Sequence, residues 1–488
     1  MVLAEEEALA EAEGTIRSGK LAGKSMGAAI WILAAPILLQ QTLQACVGLV
    51  DQMLAGNLPA AVVKPALDGI GVGSYMGWFI GIAMSGLGIG GQAIIARAMG
   101  AGDKPLAHRT LGQILSLSVL WSVMVGVFMW FIVDGLSAYS RLSPEATMYC
   151  RQYVRILALS LPFCGIMMVG SMCMYGAGET TRPSAIAVIV NIVNIIVSWV
   201  LCGADLSYGE FRLHNPFGFD LHVVGIAAGT AVAYLAGAAM TVIVLLRGVK
   251  DLRLEPRELP LSRGMAWRIV RIGMPTFFEG ISMWAVNLFV LSFIGIIAAK
   301  AAAGAGSAAE GYIGAHTIAV RWESFSFLPG FAIGTAAGAL AGQYLGARNP
   351  RMAKRTIVIC TLLAVAFMSA LGLVFMFAGE FLTSIVSRDP VHLEQTPQIL
   401  FICGTVQCTF AVLLVVRQGL QGVGDTRWTF FITTASSYGI RLPAAYVLGV
   451  QLGWGLPGIW IALCGEFSIR AMLFTARFLH GGWQRLRV

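Results

Sequence analysis

Twelve stretches of roughly twenty or more mostly apolar residues divide the chain, at about 27–55, 69–95, 110–133, 156–177, 184–203, 223–246, 272–299, 311–341, 356–379, 398–418, 428–450 and 452–475. At a rise of about 1.5 Å per residue, about twenty apolar residues cross the hydrocarbon core of a bilayer as a helix. Each such span must satisfy its own backbone N–H and C=O groups, and the windows are far longer than barrel strands. The pattern therefore predicts an all-α polytopic membrane protein of twelve transmembrane helices. Only 12% of the 488 residues are charged, about half the share in soluble domains.

The chain is also written twice. Ile95 to Thr110, IARAMGAGDKPLAHRT, returns at Ala341 to Thr356 as AGQYLGARNPRMAKRT, placing Gly100 on Gly346, Ala107 on Ala353, Arg109 on Arg355 and Thr110 on Thr356. The same offset of 246 residues carries Gly176-Ala-Gly-Glu-Thr180 onto Gly422-Val-Gly-Asp-Thr426. A period of half the chain points to a duplication, not a solenoid.

Lysine and arginine gather in alternate loops, around Arg97/Lys104/Arg109, Arg182, 247–271, Arg348/Arg351/Lys354/Arg355 and Arg427, while 134–145 and 300–310 are poorer in them. The basic loops are expected inside, with both termini cytoplasmic. The repeated stretches then occupy equivalent cytoplasmic positions, which predicts two parallel six-helix bundles related by an axis along the membrane normal. The expected division is a cytoplasmic segment 1–25, an N-terminal lobe 26–247, a cytoplasmic linker 248–271, a C-terminal lobe 272–478 and a cytoplasmic tail 479–488. The first segment, acidic and then basic at Arg17, Lys20 and Lys24, lacks the basic start and cleavage site of a secretory signal.

A net charge of +8 carried in short loops between apolar runs argues against nucleic-acid binding. Nine scattered cysteines form no CxxC and no Cys/His cluster, so neither a metal site nor a cofactor is expected. GAGDKP and GARNP lack the spacing of a phosphate loop and read as helix ends with a glycine cap. No Ser/His/Asp set or HExxH is present, and no enzyme activity is expected.

Ionisable residues inside spans are costly, which makes them functional candidates. Asp51, fifteen residues after Pro36, has no basic partner within its half and is the sharper proton or cation site; the alternative is an interfacial residue, since Gly56 and Asn57 follow. Glu279 stands four residues after Pro275, the slot that Gln40 takes after Pro36. Arg321 and Glu323 are two apart, do not face each other, and are expected to pair with other helices, with Arg441 in the eleventh span nearby in the count of charges. Glu466 and Arg470 are four apart in the order that favours a local pair, a structural or coupling role. Asn194 and Ser198 share a face with Asn191, which suits ion contact or interhelical hydrogen bonding equally. Phe277, Phe278 and Trp284 beside Glu279 read as packing or as an aromatic wall for a lipophilic cation, and His316 as a core histidine.

Taken together the pattern resembles the multidrug and toxic compound extrusion (MATE) family of secondary transporters. The stretches that carry the resemblance are Pro36 to Gly56 with VDQMLAG, Gly91 to Asp103, YGAGETTRP from Tyr175 to Pro183, Arg321 to Ala347, and QGVGDTR from Gln421 to Arg427. The resemblance implies a V-shaped bundle with a central cavity and alternating access, working as a monomer in the cell membrane. It also implies export of small amphipathic, often cationic compounds against H+ or, less favoured, Na+. Asp51 matches the family's first-helix coupling acid, with Asn194 and Ser198 beside it. Gln40, Gln41, Glu279, Trp284, Asn287, Arg321, Glu323 and Arg441 would shape the substrate cavity. Ser198 stands where DinF-like members carry a second acid, and Met283 where NorM-type members carry the seventh-helix acid, so the chain sits nearer the DinF-like or another bacterial branch. Two rival functions remain. A flippase for a lipid-linked sugar would want a strongly basic cavity, and a non-transporting scaffold would need no unpaired intramembrane acid.

Overall fold

The computed structural model describes residues 26–486 apart from 141, 209–210, 218, 306–310 and 388; the expected N-terminal segment 1–25 lies outside the described residues, as does the end of the tail at 487–488. The chain folds as α1 (Met26–Gly56), α2 (Ala60–Ala101), α3 (Lys104–Tyr139), α4 (Pro144–Gly176), α5 (Thr181–Cys202) and α6 (His222–Arg247). After a linker come α7 (Arg263–Ala305), α8 (Tyr312–Gly346), α9 (Pro350–Phe377), α10 (Gly379–Val386), α11 (Pro390–Thr405) and α12 (Gln407–Gly422). The last elements are α13 (Thr426–Ser436), α14 (Leu442–Ala445) and α15 (Gly455–His480).

Among the described residues nine helices, α2 to α9 and α15, are each long and apolar enough to cross a membrane, and α11 with α12 forms a tenth span bent by 58°. Two more complete the twelve windows. One is α1, 31 residues long. The other is an unbroken run from Thr426 to Gln451, in which α13 and α14 alternate with π-helical turns at Ser437–Arg441 and Tyr446–Gln451. The departures from a plain bundle are the short α10 and a hairpin between α5 and α6, β1 (Leu206–Tyr208) antiparallel to β2 (Phe211–Leu213), with Leu206 opposite Leu213.

By its contacts the chain forms two compact units, one of residues 35–273 and one of 26–34 with 274–488. In the first, α2 and α3 pack on α4 and α5 packs on α6, with α4 also against α6. In the second, α8, α9 and α12 pack mutually and α12 lies on α15, around a core that includes Val290, Ile294, Phe375, Ile399 and Trp460.

The sequence repeat is a repeat of geometry. Asp103 caps α3 by accepting from the Leu106 N–H at 3.0 Å, and Asn349 caps α9 by accepting from the Met352 N–H at 3.0 Å. Such caps satisfy one of the donors left open at a helix start. Thr110 and Thr356 each return a hydroxyl hydrogen bond to the carbonyl four residues back. Just before the caps, Gly102 takes φ 75° and its counterpart Arg348 takes φ 60°. The helix crossings repeat as well. A Cβ at Gly176 would stand 2.7 Å from the Gln92 carbonyl oxygen, and one at Gly422 would stand 2.3 Å from the Cα of Gly338, the residue that aligns with Gln92. Only glycine permits either approach.

The linker is strapped to the first unit. His108 faces the Glu255 carboxylate with Nδ1 at 3.0 Å and the Asp251 carbonyl with Nε2 at 2.8 Å, and Lys104 pairs with Asp251 at 2.9 Å. Arg182 donates to the Gly248 carbonyl at 2.8 Å, and the Ser262 N–H donates to Gln113 Oε1 at 2.6 Å. At the other end of the chain, Trp483 is buried and stacks on Phe478, so the residues after α15 fold back onto it.

Candidate functional site

Among the described residues, each unit buries ionisable side chains within an apolar surround, and the two units treat them differently. In the first, a cluster is built around Asp51 of α1, which is 3% exposed. Tyr153 of α4 donates its hydroxyl to Asp51 Oδ2 at 3.0 Å. Asn194 of α5 and Thr230 of α6 flank the same carboxylate, and Tyr234 is near enough to feel its charge. Asn194 donates through Nδ2 to Thr230 Oγ1 at 3.0 Å and, more weakly, to Ser198 Oγ at 3.4 Å. Ser198 and Thr230 in turn donate to the Ile226 carbonyl at 3.2 and 3.3 Å.

Two acceptors in this cluster are left over. Asp51 Oδ1 and Asn194 Oδ1 are buried and have no hydrogen-bond partner among the described residues. An acceptor without a donor in a dry interior is costly, of order 1–3 kcal/mol and more if charged. A proton on Asp51, or a cation among these oxygens, would remove the deficit. Nearer the start of the same helix, Tyr175 donates to Gln40 Oε1 and Ser184 donates to the Pro36 carbonyl at 2.5 Å, so the stretch of α1 around Pro36 is tied to α4 and α5. Gln41 is half-buried with no hydrogen bond among the described residues.

The second unit treats its charges differently. Glu279 of α7 is fully buried, and four side chains donate to it: Arg417 Nε at 2.5 Å, Gln421 at 2.9 Å, Thr433 at 2.7 Å and Thr429 at 3.3 Å. Glu466 of α15 is held between two arginines, Arg441 at 2.7 Å and Arg470 at 2.6 Å. Arg470 also donates to Ser436 and Ser437, and the Arg441 guanidinium lies over the Phe467 ring at 4.8 Å. Arg441 closes the first π turn, where the widened helix carries it to Glu466. Glu323 lies within electrostatic reach of Arg441 without a hydrogen bond among the described residues. Arg321 is exposed and joins no ion pair among them, while Trp284 and Asn287 are half-buried and unbonded.

The structure thus gathers Asp51, Asn194 and Ser198 in one cluster and Arg441, Glu466 and Arg470 in another, with Glu279 beside the latter and Arg321 apart. Tyr153, Thr230 and Tyr234 are functional-site neighbours that sequence reading passed over, since tyrosine and threonine raise no signal in an apolar window. Arg417 was overlooked for another reason, lying at the very end of the tenth window.

The sequence pattern of the MatE family matches residues 36–200 and 275–447. The chain belongs to the MatE family. It is 26% identical to the "Probable multidrug resistance protein NorM" of Thermotoga maritima over 93% of each chain. It is 24% identical to the "Multidrug resistance protein PmpM" of Pseudomonas aeruginosa, covering 93% of this chain and 91% of that one. Its fold matches a MATE crystal structure in the bent conformation with a TM-score of 0.82 at 20% identity, covering 94% of this chain and 95% of that one. A MOP superfamily transporter of Pyrococcus furiosus, described as having a binding pocket of reverse polarity, matches with a TM-score of 0.82 at 19% identity, over 95% and 98% of the two chains. This MATE chain is therefore a multi-pass membrane transporter with the twelve-helix fold of its family.

Proposed function

We propose that the protein exports small amphipathic, often cationic compounds in exchange for H+, by alternating access. The observation that carries this reading is Asp51, a buried acid that faces one tyrosine hydroxyl and no base, with one oxygen left without a donor among the described residues. The multidrug resistance names of its relatives support the substrate class. A proton is favoured over Na+ because neutralising the carboxylate suffices to relieve the deficit, whereas Ser198 supplies no second acid to hold a metal ion.

Protonation of Asp51 would act on the conformational equilibrium through the packing of α1, α4, α5 and α6 around it. A coupling ion shifts that equilibrium only by its difference in affinity for the two states. In this reading Asn194 and Ser198 fix the carboxylate's surroundings, and Gln40 and Gln41 take part in contacts with substrate. Within the second unit, Trp284, Asn287, Arg321 and Glu323 make contacts of their own with substrate, while Glu279, Arg441, Glu466 and Arg470 hold that unit rigid. The protein works as a monomer with both termini in the cytoplasm and 248–271 as the linker between lobes. A polyanionic substrate is disfavoured, since Arg417, Arg441 and Arg470 are already paired with Glu279 and Glu466.

The test is uptake of a fluorescent organic cation into inside-out proteoliposomes under an imposed pH gradient, with and without sodium. Proton-driven uptake by the wild type, lost in folded Asp51→Asn, is the expected result. Uptake driven by sodium alone overturns the proton assignment, and uptake preserved in Asp51→Asn overturns the site.

A further inference from the structure

The linker carries a feature with no part in ion coupling. Where α6 ends, a cleft of about 490 Å³ opens, lined by Leu246, Arg253, Leu254, Glu255, Pro256 and Arg257. Its walls are fixed in place. The Leu254 N–H donates to the Leu245 carbonyl at 2.9 Å, Val249 and Leu252 pair across a tight turn, and Pro256–Glu258 forms a single 3-10 turn.

Two arginines are presented there. Arg253 is exposed, and its Nε donates to the Leu246 carbonyl at 3.0 Å, which anchors the guanidinium beside the helix end and leaves its terminal nitrogens without a partner among the described residues. Arg257 has a side chain 78% exposed and is oriented by Glu255 through contacts of 2.7 and 2.6 Å. The Glu255 charge is thereby taken up by Arg257 on one side and met by His108 on the other. Over 247–271 the chain carries six arginines and one lysine against three acids.

An apolar track leads into this cleft. Val232, Leu235, Ile243 and Leu246 of α6 are all exposed, at spacings that place them on one narrow face of the helix. That face is an exposed apolar stripe whose last member, Leu246, is also a wall of the cleft. Leu259, Leu261 and Trp267, which follow in the linker and the start of α7, are exposed as well, and Trp is a side chain suited to headgroup depth. An apolar stripe capped by two guanidiniums matches an amphiphile with a tail and a phosphate.

We propose that this cleft binds an anionic glycerophospholipid from the leaflet that the linker faces, with Arg253 and Arg257 donating to its phosphate and the α6 stripe carrying an acyl chain. Guanidinium groups suit this task through their several donors and weak hydration. Basic clusters beside membrane spans attract anionic headgroups at close range. The proposal holds whichever ion drives transport.

The test is native mass spectrometry of the detergent-solubilised protein titrated with phosphatidylglycerol or phosphatidylcholine. The wild type is expected to favour phosphatidylglycerol by about five- to tenfold, and Arg253→Gln/Arg257→Gln to lose that preference while Arg348→Gln/Arg351→Gln keeps it. Equal binding of both lipids by the wild type, or a preference unchanged in the first variant, overturns the proposal. So does displacement of phosphatidylglycerol by inorganic phosphate alone, which would mark a free-phosphate site. Cross-linking of the wild type with phosphatidylglycerol bearing a photoreactive headgroup needs no variant to fold. Label within residues 246–257 supports the site, and label only elsewhere refutes it.

Discussion

Tyr153 donates to Asp51 Oδ2 at 3.0 Å from α4, while Oδ1 of the same buried carboxylate has no hydrogen-bond partner among the described residues. Removing it takes the tyrosine donor away from Oδ2. Tyr153→Phe is therefore expected to lower stability by about 1–3 kcal/mol at a pH where Asp51 is ionised. A double-mutant cycle with Asp51→Asn, read by thermal unfolding in detergent, isolates the pair. Strictly additive effects would mean that the bond carries no coupling energy.

Glu466 offers a sharper contrast because its two arginines are almost completely buried with it. Glu466→Gln strands both cations and is expected to cost about 3–5 kcal/mol, enough to reduce the yield of folded protein. Replacing Arg441, Glu466 and Arg470 together by apolar residues of similar volume is expected to be far milder, since the paired charges are removed as a set. Size-exclusion yield and melting temperature of the single and triple variants check the order.

The duplicated crossings lead to a paired expectation. Gly176→Ala and Gly422→Ala each push a methyl group into backbone, at 2.7 and 2.3 Å, and backbone cannot yield as a flexible side chain does. Each is expected to cost about 1–3 kcal/mol or more by overpacking. Gly465→Ala in α15 meets nothing within 4 Å and is expected to be neutral or to gain up to about 1 kcal/mol of helix propensity.

The linker strap has a pH signature. The hydrogen bond from Arg257, assisted by contact with His108, holds the Glu255 carboxyl below its ordinary value of 4.5. A depressed carboxyl contributes stability that is present above its unfolded value and is lost as pH falls through the folded one. Hydrogen exchange of residues 249–259 is expected to stay slow from neutral pH to about 4.5 and to quicken below it. Glu255→Gln should make that exchange fast already at neutral pH.

The spans and their doubling were legible because both rest on properties that one sequence displays: run length, and identity at a fixed offset. Asp103 and Asn349 even share the short polar chemistry that a helix cap needs. What the sequence did not disclose depends on neighbours far apart in the chain. Tyr153 and Thr230 matter only because α4 and α6 bring them to Asp51, 102 residues from Tyr153. The bend between α11 and α12 and the π turns around Arg441 also escaped, since neither interrupts the apolar pattern. The ladder from Glu279 to Arg417, Gln421, Thr429 and Thr433 was hidden for a related reason, its members being spread over the three helices α7, α12 and α13.

The shared caps, turns and crossings of the two halves are made by backbone, glycine and a few short side chains, while one interior holds Asp51 facing no base among the described residues and the other holds buried ion pairs. A gene that has doubled in this way carries one blueprint for folding and two separately editable chambers. Drift in the chamber of Asp51 can retune the chemistry without endangering the scaffold, because the instructions for the scaffold are written elsewhere.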